Sequence, residues 1–344
     1  MKKNIILFAL LLTLTMIAAC GENETTSNSS GNDNGGDDSG ETFEMILSSE
    51  VPESHFKSKL MKEFAEKIEK RTDGGIKTEF FPAGQLYSDI DALQSIGTGA
   101  VHSVWPVSVQ LESFNSAYGL TSLPFGLTDE NMLDPEYRSN LMNILTPLVE
   151  PNGMEVAGLL RTTDALFISQ NEEMKSLEDL KGMKIRMTGG KWLLEMAKQI
   201  DASAIGLPAS EMSTALSQGT IDAVYSSPSG WDTILGTSVP YGYYVPGLNI
   251  LTYSIVLDKE WMASLPQDYQ EEIYKLIDEL SANQWQESID TDKALMEKLE
   301  EDGATIHTEA KDNIEILKEE MQPVYDAFES EFPDIYSQFQ ELNK

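Results

Sequence analysis

Residues 56–82, "FKSKLMKEFAEKIEKRTDGGIKTEFFP", decide the fold of this chain. Leu60, Phe64 and Ile68 recur at i, i+4 and i+8, which gathers them on one face of a helix over 56–71. Thr72, Asp73, Gly74 and Gly75 break that helix, and "IKTEFFP" resumes as a strand. Upstream, "TFEMILS" at 42–48 alternates apolar and polar side chains, as a strand does. Strand, helix and strand in that order imply a right-handed crossover and a parallel sheet, because parallel neighbours need a long connection between them.

The pattern continues outward. A helix is predicted over 88–98, a strand over 101–107, a helix around 140–149 and a strand over 156–160. After Ser176, "LEDLKGMKIRM" reads as a helical turn entering a strand. Helix 192–200, strand 204–207, helix 210–217 and strand 221–225 then repeat the first architecture. Residues 267–301 carry spaced apolar side chains with no Gly or Pro, predicting a single helix of about 50 Å at 1.5 Å per residue. That is long enough to brace two lobes; a coiled coil is the alternative, although the apolar positions keep no strict heptad.

The beginning of the chain reads as a targeting segment. Lys2 and Lys3 precede an apolar run from Ile5 to Ile17, too short for the roughly 20 residues of a spanning helix. It closes in small residues beside Cys20, the only cysteine, so residues 1–19 are expected to be a secretory signal. Cys20 then resembles the lipidated first residue of a bacterial lipoprotein; an ordinary signal with an incidental cysteine is the alternative. Residues 20–41 lack any large apolar side chain and are expected to form a solvated tether. The folded body starts near Thr42. Its roughly 300 residues suffice for two domains.

The charge is lopsided: 57 Asp and Glu against 24 Lys and Arg give −33, or −33 − 2 = −35 once Lys2 and Lys3 are removed. Nucleic acid is excluded as a partner, since phosphate binding needs clustered cations. Catalytic signatures are missing as well: there is no G-x-S-x-G elbow, no H-E-x-x-H, no phosphate loop and no cysteine in the body. His55, His102 and His307 are scattered and read as structural, so neither metal nor cofactor is expected.

Against this background the four arginines, Arg71, Arg138, Arg161 and Arg186, stand out. Arg186 falls at the carboxyl end of its predicted strand, where open α/β sheets bind ligands. Gly189, Gly190 and a helix N-terminus follow, a setting that admits an anion to the backbone. A guanidinium there can grip a carboxylate through two parallel hydrogen bonds, or form a structural salt bridge with one of the many acids. Trp105, Phe125, Tyr225 and Trp231 lie at other predicted strand ends or loops, where they could wall a cleft or simply fill the core.

"FAEKIEKRTDGGIKTEFFPAGQL", "ALQSIGTGAVHSVWPV", "YGLTSLPFGL", "SLEDLKGMKIRM", "LPASEMSTALSQGTIDAVYSSPSG" and "VLDKEWMASLPQDYQEEI" follow one another in an order and spacing that resembles the DctP-type solute-binding proteins of tripartite ATP-independent periplasmic (TRAP) transporters. The resemblance implies an α/β, two-lobed, type II-like binding-protein fold, each lobe a mixed, mostly parallel sheet flanked by helices, with a long helix across the hinge. On this basis residues 42–163 with 252–291 form lobe I and residues 164–251 with 292–344 form lobe II. It also implies no enzyme activity, an organic acid as ligand and a membrane permease as partner. The family's carboxylate-gripping arginine falls on Arg186. Ser226 and Ser227 take the place commonly held by an asparagine. The second arginine of sialic-acid-binding relatives, expected near Leu166, is absent; Arg161 lies five residues earlier. One carboxylate on an apolar or aromatic body would suit Trp105, Tyr225 and Trp231. Two other functions stay open: a secreted hydrolase or lyase on an α/β scaffold, and a binding protein that serves a sensor kinase.

Overall fold

The computed structural model describes residues 42–207 and 211–344. The expected signal, Cys20 and the tether lie outside the described residues. The first crossover is as predicted: β1 (Phe43–Ser48), α1 (Phe56–Arg71) and β2 (Ile76–Phe81), with β1 and β2 parallel in register Phe43 to Ile76. Helix α1 buries Met61, Phe64, Ala65 and Ile68 against the sheet. His55 caps its start by accepting from the Lys57 N–H.

Then come α2 (Asp89–Ser95), a two-residue β3 (Ser103–Val104), two 3-10 segments (Ser108–Ser113 and Ser116–Ser122), α3 (Asp129–Leu133) and α4 (Pro135–Val149). Strand β4 (Met154–Asp164) is twice the predicted length and passes almost directly into β5 (Leu166–Ser169), which belongs to the other sheet. β6 (Lys184–Met187), α5 (Lys191–Gln199), β7 (Ser203–Gly206), α6 (Met212–Ser217), β8 (Ala223–Ser226), the single turn α7 (Pro228–Gly230) and β9 (Tyr241–Tyr244) build the second sheet. β10 (Ile250–Asp258) returns to the first, followed by α8 (Lys259–Ser264), the single helix α9 (Gln267–Glu301), β11 (Thr305–Thr308), α10 (Lys311–Glu320), α11 (Gln322–Glu331) and α12 (Pro333–Leu342).

The two sheets have strand orders β2-β1-β3-β10-β4 and β11-β9-β5-β8-β6-β7. Both are mixed. β10 is antiparallel to both β3 and β4, and β5 is antiparallel to both β8 and β9, because these strands carry the chain between sheets rather than through a helical crossover. Helix α9 lies along β4 and α1, burying Ile273, Leu276, Ile277, Leu280 and Trp285. Residues 292–344 do not all stay with the second sheet. Leu317 and Met321 join its core, whereas Val324, Phe328 and Phe339 bury with Leu141 and Leu145 of α4, because that face of α4 would otherwise be exposed apolar surface.

Candidate functional site

Three of the four arginines are committed to carboxylates. Arg71 pairs with Glu279 and Glu272, Arg138 with Asp278, and Arg161 with Asp129 at 2.8 Å and Asp292 at 2.5 Å. Arg186 has no ion pair among the described residues. It is the third residue of β6, 4% exposed, and its Nε donates to the Leu207 carbonyl at 2.8 Å. Burial alone pushes its pKa down. An unpaired cation out of water is unfavourable, and an entering anion would relieve it.

A cavity of about 810 Å³ opens beside this guanidinium. From the second sheet's side it is lined by Arg186, Leu207, Ser226 and Ser227, all at or just beyond the carboxyl ends of the parallel strands β6, β7 and β8. That is where open sheets leave backbone and side chains free to meet a ligand. From the first come Glu50, His55, Gln110, Thr162 and Tyr253. The Ser227 hydroxyl oxygen accepts from the Gly230 N–H at 2.9 Å, which leaves its own proton free to donate. Gly230 leaves room for both serines: a Cβ there would stand 2.8 Å from the Ser226 hydroxyl oxygen and 3.2 Å from that of Ser227. Thr162 Oγ1 and Gln110 Oε1 are buried without a partner among the described residues.

The other expected contacts resolve differently. Trp105 is fully buried against Phe64 and donates its indole N–H to Ser103; Trp231 is fully buried and donates to the Val239 carbonyl. Tyr225 packs within the second core with its ring tilted against Phe167, and Phe125 packs against that core with φ of 58°. None of the four lines the cavity: Tyr225 on β8, and Trp105, Phe125 and Trp231 outside the strands, all turn into or pack against the cores behind it. Arg161 is also absent from the lining: its guanidinium also reaches Ser288 and ties β4 to α9. The paired acids hold its pKa up against burial.

The N-terminus of α5, expected to meet the ligand, is already occupied. The Lys191 N–H donates to Glu112 Oε2 at 2.7 Å, so a carboxylate from the 3-10 segment beside the first sheet caps a helix of the second. Burial pushes Glu112 up to about 7 despite this bond and the Lys191 charge. Gly190, at φ of 91°, is needed for that approach: a Cβ would lie 2.1 Å from Val109 Cγ2. At the crossing between β4 and β5, Asp164 Oδ2 accepts from the Tyr244 hydroxyl and the Gly247 N–H, both at 2.7 Å; burial pushes this carboxyl up to about 7 as well.

His55 caps α1 and reaches the cavity wall, His102 accepts from the Ile46 N–H and stacks on Trp261, and His307 stacks on Tyr243. Among the described residues there is no cluster of three acids, histidines or cysteines suited to a metal, and no helix is long and apolar enough to cross a membrane. A separate cavity of about 430 Å³ lies between α4, β4 and α9.

A two-sheet body with strand-end polar groups facing an interior cavity is matched by a known family. Its description, bacterial extracellular solute-binding protein, family 7 (DctP), fits residues 47–331. The chain belongs to this family. It is therefore an extracellular solute-binding protein of the DctP family, not an enzyme, in agreement with the resemblance read from its segments. The chain is 28% identical over 167 residues to an uncharacterized protein of Salmonella typhimurium, a match spanning 46% of this chain and only 48% of that protein. It is 24% identical over 269 residues to the C4-dicarboxylate-binding periplasmic protein DctP of Vibrio cholerae, covering 77% and 80% of the two chains. Its fold matches a TRAP periplasmic solute-binding protein of Desulfovibrio salexigens with bound orotic acid at a TM-score of 0.75, with 19% identity and coverage of 88% and 98%.

Proposed function

We propose that this DctP-family protein captures an organic acid between its two sheets, with Arg186 anchoring the carboxylate and Ser226 and Ser227 donating to it. The observation that carries this is the buried guanidinium without a counter-ion among the described residues, set in the wall of the 810 Å³ cavity while the other three arginines are paired. Relatives named for C4-dicarboxylate and orotic acid binding support an acid as the solute class. The lobes of this reading are 42–163 with 252–291 and 164–251 with 292–344, although α11 and α12 pack back against lobe I. Closure of the lobes would expel water from the cavity and strengthen the ion pair. The closed form would deliver the solute to a TRAP membrane permease. The chain would be exported and held at the outer face of the membrane by lipid on Cys20.

The test is a thermal-shift screen of the protein, first unfolded and refolded to remove any carried solute, against mono- and dicarboxylates. A ligand at about 100 times its Kd adds roughly 2.7 kcal/mol of stability. The shift must vanish in Arg186→Ala; a shift of equal size in that variant refutes the site. For the anchor, mass spectrometry of the mature protein from membranes should find a diacylated N-terminal Cys20, and Cys20→Ser should release the protein.

A further inference from the structure

With Trp105, Tyr225 and Trp231 in the cores, the cavity keeps aliphatic side chains such as Val107, Leu207 and Met212 and the ring of Tyr253, and the charges on its walls set what the two ends of a ligand must be. Among its described lining residues Arg186 is the one Lys or Arg, and Glu50 is the one carboxylate. The two stand on opposite walls, Arg186 on β6 and Glu50 just beyond β1. No second Lys or Arg is among the described lining residues on the side of Glu50. Lys57 is fully buried, bound to Asp89 at 2.6 Å and lying over the Tyr253 ring, so its charge is already matched. His55 accepts the Lys57 N–H at Nδ1, which places its proton on the other nitrogen, and burial with Lys57 and Lys59 nearby pushes its pKa down to about 4. The ring is neutral at physiological pH. Glu50 itself accepts the Asp89 N–H through Oε2 at 3.0 Å and keeps its other oxygen free of any protein donor among the described residues. Thr162 Oγ1 and Gln110 Oε1 add two unmatched polar atoms to the same wall.

Building on the carboxylate-binding reading above, we infer that Glu50 selects the ligand's far end: the site takes an acid with one carboxylate and with hydroxyl or ammonium donors on its remainder, and rejects dicarboxylates. The carboxylate meets Arg186; donors meet Glu50. A second carboxylate would have to approach Glu50 with no Lys or Arg among the described lining of that wall to offset the repulsion; Glu50 is exposed here, so the like charges discriminate once the lobes close over the ligand. This sets the chain apart from the C4-dicarboxylate-binding relatives to which it is 24% identical.

Matched six-carbon acids test it. D-gluconate and D-glucarate differ only in whether the far end is a hydroxymethyl or a carboxylate; 6-aminohexanoate and adipate make the same comparison for an ammonium. Calorimetric titration of the refolded protein should show gluconate, 6-aminohexanoate or both binding at least tenfold more tightly than the dicarboxylate twin. The pair that shows binding tells hydroxyl from ammonium recognition. Glu50→Gln, which retains an oxygen for the Asp89 N–H, should shrink the gap about tenfold, and its unchanged unfolding midpoint would show that the fold is kept. A dicarboxylate that binds as tightly as its twin, binding by none of the four acids, or a gap unaltered in Glu50→Gln overturns the inference. Arg186→Ala separates the two levels: dicarboxylate binding that this variant abolishes sinks only the role of Glu50, whereas binding that survives it sinks the carboxylate site itself.

Discussion

Arg161 looks from the sequence like a ligand-binding residue, yet its partners make it a structural brace, and substituting it distinguishes the two roles. In Arg161→Met the guanidinium loses Asp129, Asp292 and Ser288 together. Removing one partner of a buried ion pair costs about 3–5 kcal/mol because the other charge is stranded. Here the lower end applies. Asp292, 14% exposed, still accepts from the Thr163 hydroxyl and the Asp164 N–H, and Asp129, about a third exposed at 32%, is partly screened by solvent and still accepts from the Trp285 indole. A loss of about 3 kcal/mol is expected in urea unfolding followed by tryptophan fluorescence. The deficit should depend on pH with a defined sign. Burial already raises Asp292 with Arg161 in place; without that cation its folded pKa rises further above the unfolded one. Its contribution is therefore present at low pH and lost as pH rises, so the variant should be closest to wild type near pH 5 and furthest near pH 8. A deficit below about 1 kcal/mol, or one that grows towards acid pH, refutes the brace. So does a variant of undiminished stability that no longer binds acid.

Glu112 and Asp164 are both raised to about 7 from ordinary values of 4.5 and 3.8, so between those limits the folded protein holds protons that the unfolded chain has released. Each carboxyl thus lowers stability by up to about 1.4 kcal/mol per pH unit as pH rises through that window; the difference in slope between wild type and Glu112→Gln with Asp164→Asn, measured by unfolding from pH 5 to 8, should reveal it. Gly190→Ala should destabilise more than Gly189→Ala, although both positions have positive φ, because only the former drives a Cβ into Val109; the reverse order in unfolding midpoints would contradict the packing described. Arg186→Met should leave ligand-free stability within about 1 kcal/mol of wild type, since the lost bond to the Leu207 carbonyl is offset by relief of a buried charge. A loss of several kcal/mol would show that Arg186 is a structural residue.

The first crossover, the helix at 267–301 and the place of Arg186 were legible because each rests on local periodicity or on the rule that strands end at a site. The strands that carry the chain between sheets, β5, β9 and β10, were not. β10 is buried along its whole length apart from Leu251 near its start, so it shows no alternation, and its pairing with β4 is a long-range fact. Trp105 and Tyr225 were misplaced because a strand end seen in sequence does not say which face a side chain takes; a one-residue change reverses it. Glu50 and Gln110 carried no signal among 57 acids and many amides. A close backbone approach does occur at Gly190, but the approaching groups are Val109 and Glu112 of the protein itself, and Gly189 has open space beside it.

A crystal structure of the protein with the acid that gives the largest thermal shift tests the central claim most directly. The carboxylate oxygens should lie about 2.7–2.9 Å from two Arg186 nitrogens, with Ser226 or Ser227 donating to them. An acid seated in the cavity between α4, β4 and α9, or one in the larger cavity with its carboxylate turned away from Arg186, would contradict it.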